Sequence, residues 1–318
     1  MRCITIGLGV QGPKRIKAAG PDNVATVDPV KPDADFKRVE EVPLDRYDAA
    51  LVCTPDEVKL PLLSYLLENG KHVLVEKPLF ADSEDDLLRL KALAQKTGAT
   101  CYTAYNHRFE PHFVNMKRVL SSGELGEIYR CRMFYGNGTA RLVRNSEWRD
   151  QGSGVLPDLG SHLLDTLLFW FERPDYDFRI ISADRYENRA FDHVVVGGEP
   201  HDGRGPRFEL EMTLLSWRNH HTTDIFAEKG SAHIESLCKW GPSTLTVRKR
   251  VLPSGRPKES LDTLEQPDPT WDMEYAHFKR LCGTGAGNID NDLWLNRQLK
   301  DLADEALSRF PPPPATTA

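Results

Sequence analysis

Short apolar runs alternate with segments of helical periodicity along the first third of the chain. Apolar runs bounded by turn residues are typical of buried strands, and apolar positions three or four residues apart are typical of helices. The runs predict strands at Arg2–Ile6, Val24–Val27, Ala49–Cys53, Lys71–Val75 and Ala99–Tyr105. Between them, helices are predicted at Pro13–Ala19, at Leu60–Glu68 and from Asp82 or Ser83 to Lys96. This alternation indicates an α/β fold, with a parallel sheet covered by helices on both faces.

The pattern changes after this region, because strand signals then dominate. Helices are predicted at Phe113–Leu120 and near Asp158–Phe171, with a strand at Gly126–Tyr135 before the second one. Further strands are predicted at Phe178–Tyr186, Arg207–Trp217, Thr222–Ala227, Ala232–Ser236 and Leu245–Val251. Two helices follow, at Asp272–Cys282 and Asn291–Arg309. This order predicts an α+β domain built on an open antiparallel sheet with helices on one face.

The length of 318 residues fits two domains at roughly 150 residues each. We place the first over residues 1–106 and the second over residues 107–290. The helix at 291–310 is expected to pack near the first domain, and residues 311–318 are expected to form a flexible tail.

Composition excludes several classes of protein. A formal net charge of −6 argues against the broad basic surface of a nucleic-acid partner. No apolar run approaches the ~20 residues of a membrane helix, and no signal peptide is recognisable. The six cysteines contain no C-x-x-C pair, which favours reduced thiols and a cytoplasmic location. His193, His201, His220 and His221 lack ligand spacing with partner acids, so no metal site is expected.

A glycine-rich turn joins the first strand to the first helix. Its G-x-G-x-x-G pattern is formed by Gly7, Leu8, Gly9, Val10, Gln11 and Gly12. Such glycines permit a tight turn and let a pyrophosphate approach the amide groups at the helix start. Asp28 ends the next strand, where a carboxylate accepts hydrogen bonds from ribose hydroxyls; the alternative is a turn aspartate before Pro29. Together these features favour a dinucleotide cofactor.

The segment from Asp28 to Ala49 leaves little room for a full helix and a strand, and it contains Pro32 and Pro43. We therefore expect the second crossover to be shortened to a loop. The pocket for the ribose 2′ position is built there, so this segment bears on the choice of cofactor. Asp28 would repel a 2′-phosphate while Lys31 would attract one; NAD(H) is favoured and NADP(H) remains possible.

A strand delivers Glu76 and Lys77 to its carboxyl end, just before Pro78. Ligands of open α/β sheets bind at this edge. A lysine placed there can donate a hydrogen bond to a substrate oxygen. The alternative is an ordinary surface lysine at the end of a strand.

Asp158 and His162 lie four residues apart, so on a helix they occupy one face. A carboxylate beside an imidazole orients the ring and stabilises its charged form, and histidine is the natural proton acceptor near neutral pH. The alternative is structural, with Asp158 capping the helix and His162 making a buried hydrogen bond.

Taken together, these motifs resemble the Gfo/Idh/MocA oxidoreductases, the glucose–fructose oxidoreductase and inositol dehydrogenase family. The resemblance is carried by the glycine turn with Asp28, by Thr54-Pro55, by the run Gly70–Pro78 and by Asp158-x-Gly160-x-His162-x-x-Asp165. The segments Tyr105–Phe109 and Phe226–Ser231 also resemble the family's interdomain crossover and sheet hairpin. Two residues depart from the family pattern: Lys59 lies near the place where members often carry a histidine, and Ser153 interrupts the glycine run before Asp158.

The resemblance implies a Rossmann domain followed by an open antiparallel sheet domain. By position it makes Lys77, Asp158 and His162 the catalytic residues. The residues expected at the cofactor are Gly7, Gly9, Val10, Gln11, Gly12, Asp28, Thr54, Pro55, Glu76, Lys77 and Asn106. The implied reaction is hydride transfer between a nicotinamide and a secondary alcohol or ketone. His162 would accept the hydroxyl proton, Lys77 would polarise the oxygen, and Asp158 would orient His162.

The substrate expected is a sugar, a cyclitol or a sugar derivative, with an anionic group favoured by nearby arginines. Arg144, Trp148 and Arg149 precede the second motif, and Arg108 lies in the crossover segment. Tryptophan can stack on a sugar face, and arginine can bind a carboxylate or phosphate through two hydrogen bonds. The alternative is that these arginines pair with neighbouring acids.

Two other functions stay open on the sequence. One is reduction of a different unsaturated group, such as an imine or a conjugated system. The other is a cofactor-binding sensor without turnover, although retention of Lys77, Asp158 and His162 argues against it. A long exposed sheet presents an edge and an apolar face that favour association. We therefore expect a homodimer or homotetramer formed through the sheet of the second domain.

Overall fold

The computed structural model describes residues 1–146, 149–172 and 174–311. The chain divides into two compact units. The first unit comprises Met1–Phe109 and Pro269–Asn296, and the second comprises Glu110–Asp268 and the residues from Arg297 onward. Within the described part, no helix is both long enough and apolar enough to span a bilayer.

The first unit contains a parallel sheet with the strand order β2-β1-β3-β4-β5. Its strands are β1 (Cys3–Ile6), β2 (Asn23–Val27), β3 (Ala49–Val52), β4 (His72–Glu76) and β5 (Cys101–Ala104). Its helices are α1 (Gly12–Ala19), α2 (Asp56–Glu68) and α3 (Glu84–Thr97). The strand order reverses between β1 and β3, which is where ligands bind in sheets of this type. The predicted Rossmann-like α/β arrangement is confirmed.

Both faces of this sheet are buried, which explains why its strands are continuous apolar runs. Successive side chains point to opposite faces, so Ile4 and Val52 enter one hydrophobic cluster while Cys3 and Leu51 enter the other. Helices cover each face and exclude water from both clusters.

The connection from β2 to β3 is short, as expected from the prolines. It contains an isolated bridge between Val27 and Phe36 and two 3-10 turns, Val39–Glu41 and Leu44–Arg46. No α-helix occurs among these residues, all of which the structure describes. The prediction of a shortened crossover is therefore confirmed.

The second unit is built on a sheet with the strand order β13-β12-β11-β10-β6-β9-β8-β7. Its strands are β6 (Ile128–Gly136), β7 (Tyr176–Asp184), β8 (His193–Pro200), β9 (Arg207–Thr213), β10 (His220–Ala227), β11 (Gly230–Glu235), β12 (Ser243–Lys249) and β13 (Lys258–Leu264). Three helices precede most of the strands, namely α4 (Pro111–Ser121), α5 (Ala140–Arg144) and α6 (Ser161–Phe171).

The sheet is mixed, which corrects the expectation of an antiparallel one. Strands β6 and β9 pair in parallel from Arg130–Arg207 to Gly136–Thr213, while the other pairings are antiparallel. A parallel pair requires a long crossover, and the segment between β6 and β9 supplies it with α5, α6, β7 and β8. The sequence identified strands here but carried no signal for this order.

Two helices complete the chain, α7 (Thr270–Cys282) and α8 (Ile289–Arg309). In the first unit, Asp292 at the start of α8 accepts a 2.8 Å hydrogen bond from the Thr103 hydroxyl. In the second unit, Glu305 near the end of α8 accepts a 2.9 Å hydrogen bond from the Ile180 amide, and Arg309 donates one to the Ile180 carbonyl. Each end of α8 thus takes part in the packing of one unit.

Candidate functional site

Two glycines of the first turn are required by the packing of the protein itself. Gly7 has a φ of +91°, and a Cβ there would lie 2.6 Å from the Cys53 carbonyl oxygen. A Cβ on Gly12 would lie 2.2 Å from the Gly7 carbonyl oxygen. Because neither residue carries a Cβ, α1 can start close against the sheet, which is the strand–helix packing that the motif predicts.

Gly9 is different, because a Cβ at this position would meet nothing within 4 Å. Neither packing nor an unusual φ therefore explains why residue 9 is a glycine. Its neighbour Val10 is 80% exposed, and α1 begins after Gln11 with Pro13 in its first turn and without a side-chain cap among the described residues. The open face at Gly9 and the amide groups at the start of α1 fit a pyrophosphate that approaches the backbone.

Asp28 lies at the end of β2 and contacts the same turn. Its Oδ2 accepts a 2.7 Å hydrogen bond from the Leu8 amide, and its Oδ1 accepts 2.9 Å bonds from the amides of Val30 and Lys31. Burial opposes ionisation, but the three amide donors outweigh it and lower the pKa of Asp28. A carboxylate has about four acceptor positions, so Asp28 retains capacity for one ribose hydroxyl.

Thr54 and Pro55 follow β3 and lie at the same edge of the sheet. The Thr54 hydroxyl is buried and has no hydrogen-bond partner within the part of the chain that the structure describes. A buried hydroxyl usually has a partner, so this one suits a polar ligand group. Pro55 is exposed directly before α2.

Glu76 at the end of β4 belongs to a buried charge cluster that sequence reasoning missed. Arg15 donates from Nε to Glu76 Oε1 at 2.6 Å, and its Nη1 lies 2.7 Å from Glu274 Oε2. The guanidinium also lies 4.4 Å from the centroid of the Trp271 ring. Burial disfavours the charge of Arg15, but the two carboxylates outweigh this and raise its pKa. The cluster thus joins α1, β4 and α7.

Lys77 directly follows β4 and is partly buried. Asn106 and Arg108 lie together in the 3-10 turn Asn106–Phe109 of the same unit. The Asn106 side chain donates a 3.0 Å hydrogen bond to the Thr270 hydroxyl, which ties this turn to the start of α7.

The second motif lies in the second unit, where its backbone differs from a simple helix. Asp158 lies in a π-helical turn, Leu156–Gly160, and His162 lies in the first turn of α6. A Cβ on Gly160 would lie 2.9 Å from the Met212 Sδ, so glycine lets this turn pack against β9. Asp158 is partly exposed, whereas His162 is only 7% exposed.

Arg149 and Tyr135 contact this pair of residues. Arg149 Nη2 lies 3.6 Å from Asp158 Oδ2, so Asp158 has a cationic partner. The ring of Tyr135 meets the His162 ring edge-on, with 5.8 Å between the centroids. Burial and then the charge of Asp158 raise the pKa of Tyr135, which keeps its hydroxyl protonated.

A buried aromatic cluster surrounds Tyr135. The Trp240 and His221 rings lie 5.8 Å and 6.1 Å from Tyr135, and Phe113 contacts His221 at 5.0 Å. Burial and then the neighbouring His220 lower the pKa of His221 to about 3, so His221 is neutral near physiological pH. The Tyr135 ring that contacts His162 therefore lies within a buried aromatic cluster.

Of the other residues expected at the substrate, Arg144 ends α5 and is exposed. Trp148 lies outside the described residues. Among the described residues, no group of three or more potential ligands is arranged to hold a metal ion.

Comparison with known proteins now identifies the family. Residues 2–105 match the model described as "Oxidoreductase family, NAD-binding Rossmann fold", and residues 113–233 match the model of the GFO/IDH/MocA C-terminal domain. The chain belongs to the Gfo/Idh/MocA oxidoreductases. The resemblance seen in the sequence motifs is thereby confirmed, as is the assignment to an NAD-binding oxidoreductase family.

Related curated proteins include sugar and cyclitol dehydrogenases. The scyllo-inositol 2-dehydrogenase (NADP(+)) IolW of Bacillus subtilis is 26% identical over 196 residues, which cover 56% of this chain and 54% of IolW. An inositol 2-dehydrogenase of Corynebacterium glutamicum is 36% identical over 104 residues, covering 32% of this chain and 31% of that protein. This Gfo/Idh/MocA chain spans about half the length of the curated relatives it matches.

Solved structures share the fold over nearly the whole chain. An NAD binding oxidoreductase from Klebsiella pneumoniae aligns with a TM-score of 0.81 and 17% identity, covering 97% of both chains. Levoglucosan dehydrogenase in complex with NADH aligns with a TM-score of 0.80, 17% identity and the same coverage. At this level of identity the likeness establishes the fold.

Within this Gfo/Idh/MocA chain, the expected cofactor residues of the first unit lie at or after the carboxyl ends of β1 to β5. Asp158, His162 and Arg149 gather in the second unit. Arg15 and Tyr135 were missed because single residues on α1 and β6 carry no motif. Their contacts become visible only when three elements are packed together.

Proposed function

We propose that this chain is an NAD(P)-dependent dehydrogenase or reductase that acts on a secondary alcohol or ketone of a sugar, a cyclitol or a sugar derivative. One observation supports this most strongly: the chain retains Lys77, Asp158 and His162 at the positions of the family motifs. A protein that only bound the cofactor would not need all three groups. The open face at Gly9, beside the amide groups at the start of α1, is consistent with the same function.

Each of the three residues has a definite role in this proposal. The nicotinamide supplies the hydride acceptor or donor when it is bound. His162 takes the hydroxyl proton during oxidation and returns it during reduction. Asp158 stabilises the protonated imidazole, and Arg149 limits the mobility of that carboxylate. Lys77 donates a hydrogen bond to the reacting oxygen and stabilises the negative charge that develops there.

NAD(H) is the proposed cofactor, because Asp28, whose pKa is lowered, is negatively charged and would repel a ribose 2′-phosphate. The acceptor capacity of Asp28 suits a ribose hydroxyl. Lys31 adds a positive charge nearby, and the relative IolW is named as an NADP(+) enzyme. NADP(H) is therefore the alternative to test.

The proposed substrate carries several hydroxyl groups, with a phosphate or carboxylate as an additional anchor. Arg149, Arg144 and Arg108 are the proposed anchors, of which Arg149 already pairs with Asp158. A relative from Bacillus subtilis, 28% identical over 142 residues, is named glucose-6-phosphate 3-dehydrogenase. Inositols, neutral sugars and sugar phosphates thus form the first substrate panel.

We test the proposal by titrating NADH and NADPH while following energy transfer from tryptophan to nicotinamide. The panel is then assayed with NAD⁺ and NADP⁺ by nicotinamide absorbance. Saturable binding with turnover of a polyol supports the proposal, and tighter NADH binding supports the role of Asp28. Binding without turnover of any alcohol, or of its ketone in the reverse direction, favours reduction of an imine or conjugated group, or a sensor.

The proposed partner is a second copy of this chain, joined through the sheet of the second unit. Apolar side chains are exposed on its strands, including Ile181 at 51% and Phe226 at 43%. Apolar side chains on an open sheet favour a homodimer or homotetramer. Light scattering that gives only the 35.9 kDa mass of one chain contradicts this part of the proposal.

A further inference from the structure

Lys59 is a buried lysine whose three donors all have partners. It lies in the first turn of α2 and is 2% exposed. Its Nζ lies 2.6 Å from Asp56 Oδ1 and donates 2.8 Å hydrogen bonds to the carbonyl oxygens of Glu76 and Pro78. An ammonium has three N–H donors, so these contacts use its full capacity.

The two carbonyl groups belong to the residues on either side of Lys77. The Glu76 carbonyl is part of the peptide unit that precedes Lys77, and the Pro78 carbonyl lies one residue after it. Holding both limits rotation of the backbone about Lys77. The proline ring already restricts the residue before it to extended conformations, so little freedom remains for the direction of the Lys77 side chain.

A purely structural role would be filled better by an apolar residue. Leu63 and Leu66, four and seven residues after Lys59, are fully buried, so Lys59 lies on the buried face of α2. Burying an ammonium is costly unless charge pairing and hydrogen bonds compensate for lost water. Asp56 supplies the charge, and the two carbonyls supply the remaining hydrogen bonds.

We propose that Lys59 is a positioning residue for Lys77: it holds the backbone on both sides of Lys77 and so fixes the direction in which that side chain donates its hydrogen bond. Lys59 does not touch the substrate in this proposal. The inference rests on the proposed function, since it assumes that Lys77 acts on the reacting oxygen.

Lys71 offers a matched control within the same unit. Its Nζ donates to the backbone carbonyls of Leu44 and Tyr47 at 2.6 Å and 2.9 Å. It also lies 4.9 Å from the centre of the Tyr47 ring. It precedes β4, whereas Lys77 follows the strand. Lys59→Met and Lys71→Met each remove an ammonium bound to two carbonyls, but only the first affects the segment around Lys77.

The test compares kcat for the two variants. Fluorescence titration with NADH gives the dissociation constant and the concentration of cofactor-binding sites, and kcat is expressed per binding site. Lys59→Met is expected to lower kcat by about 10- to 100-fold, because small misplacement of a reacting group has effects of this size. NADH affinity should change less than about threefold. Lys71→Met should leave kcat unchanged, and Lys59→Gln, which keeps two N–H donors, should fall between Lys59→Met and wild type.

A double variant separates positioning from general destabilisation. In a Lys77→Met background, Lys59→Met should have no further effect on kcat, because the group that it positions is gone. An undiminished effect in that background, or equal losses in Lys59→Met and Lys71→Met, overturns the proposal. So does a normal kcat in both Lys59 variants. If Lys59→Met does not fold, Lys59→Gln carries the same comparison.

The proposed function and this inference fail in different ways. A wild-type protein that binds NADH but turns over no member of the panel contradicts the proposed function. Hydrogen exchange in the segment 76–80 of the NADH-bound protein then tests Lys59 without catalysis. Faster exchange in Lys59→Met than in Lys71→Met supports the backbone role, and equal exchange rejects it.

Discussion

The two units of the molecule build their candidate sites in different ways. In the first unit the backbone dominates: a Cβ added at Gly7 or at Gly12 would come within 2.6 Å or 2.2 Å of a carbonyl oxygen, and the Asp28 carboxylate accepts hydrogen bonds from three backbone amides. In the second unit side chains dominate, because the His162 ring contacts the Tyr135 ring, which in turn packs against Trp240. The comparison predicts that the proposed cofactor binding in the first unit and the proposed proton transfer in the second can be disturbed separately.

The largest effect is expected from His162→Ala. Loss of the proton acceptor should lower kcat by about 10²- to 10⁴-fold, which is the usual contribution of a general acid or base. NADH binding should stay within about twofold of wild type, because His162 is not among the residues proposed to bind the cofactor. His201→Ala is the matched control, because His201 is exposed and contacts Asp175 and Asp177; this variant should keep the wild-type kcat. Equal activity in the two variants removes His162 from the mechanism.

A second large effect is expected from Arg15→Gln. The substitution leaves Glu76 and fully buried Glu274 without their shared cation. Removal of one member of a buried ion pair usually costs about 3–5 kcal/mol, so the first unit should unfold at a markedly lower denaturant concentration. Exposed Arg38→Gln, which loses a 3.4 Å contact with Glu40, should change stability by less than about 1 kcal/mol. Similar midpoints for the two variants would show that the buried cluster contributes little.

The two glycines of the turn give a sharper comparison within the first unit. Gly12→Ala forces a Cβ against the Gly7 carbonyl and should destabilise the protein by about 1–3 kcal/mol. The Cβ that Gly9→Ala adds would meet no protein atom within 4 Å, so the melting temperature of this variant should match that of wild type. It should nevertheless weaken NADH binding by at least about tenfold, since a pyrophosphate approaches that face. Thermal melting and fluorescence titration are carried out on both variants. Unchanged NADH affinity in Gly9→Ala contradicts the proposal that the cofactor pyrophosphate approaches Gly9.

The smallest effect concerns the pH dependence of the second unit. His221 has a pKa of about 3 when folded, so the unfolded chain binds a proton near pH 6.5 that the folded chain does not. Stability should therefore fall as the pH drops below about 6.5, by roughly 2 kcal/mol at pH 5. His221→Gln removes this contribution and should flatten the acid side of the stability curve. Urea unfolding at several pH values, with exposed His201→Gln as the control, provides the measurement; parallel curves for His221→Gln and wild type refute the burial argument.

The sequence predicted the first unit more completely than the second for a physical reason. A fully buried parallel sheet requires continuous apolar runs, and its ligands gather at strand ends, so Gly7–Gly12, Asp28 and Lys77 could be located from local pattern alone. The shortened crossover after Asp28 could also be predicted, because prolines exclude a regular helix there.

In the second unit local pattern was insufficient. The parallel pairing of β6 with β9 depends on a crossover that no short motif encodes. Strand β13 is polar and exposed along most of its length, so it lacked the expected apolar signal. In β8 the valine run 194–196 is short and is followed by Gly197 and Gly198, which weaken a strand signal. The contact of Tyr135 with His162 and the pairing of Arg149 with Asp158 arise from tertiary packing, which periodicity does not report.

The most direct test of the central claim is turnover of the polyol and sugar phosphate panel by wild type and by the double variant Lys77→Met/His162→Ala, with NAD⁺ and NADP⁺ supplied separately. The account predicts saturable reduction of the nicotinamide by wild type, faster with NAD⁺. It predicts loss of that activity in the double variant, which should still bind NADH. Undiminished turnover in the double variant, or a wild type that binds NADH yet transfers no hydride to or from any alcohol or ketone tested, contradicts it.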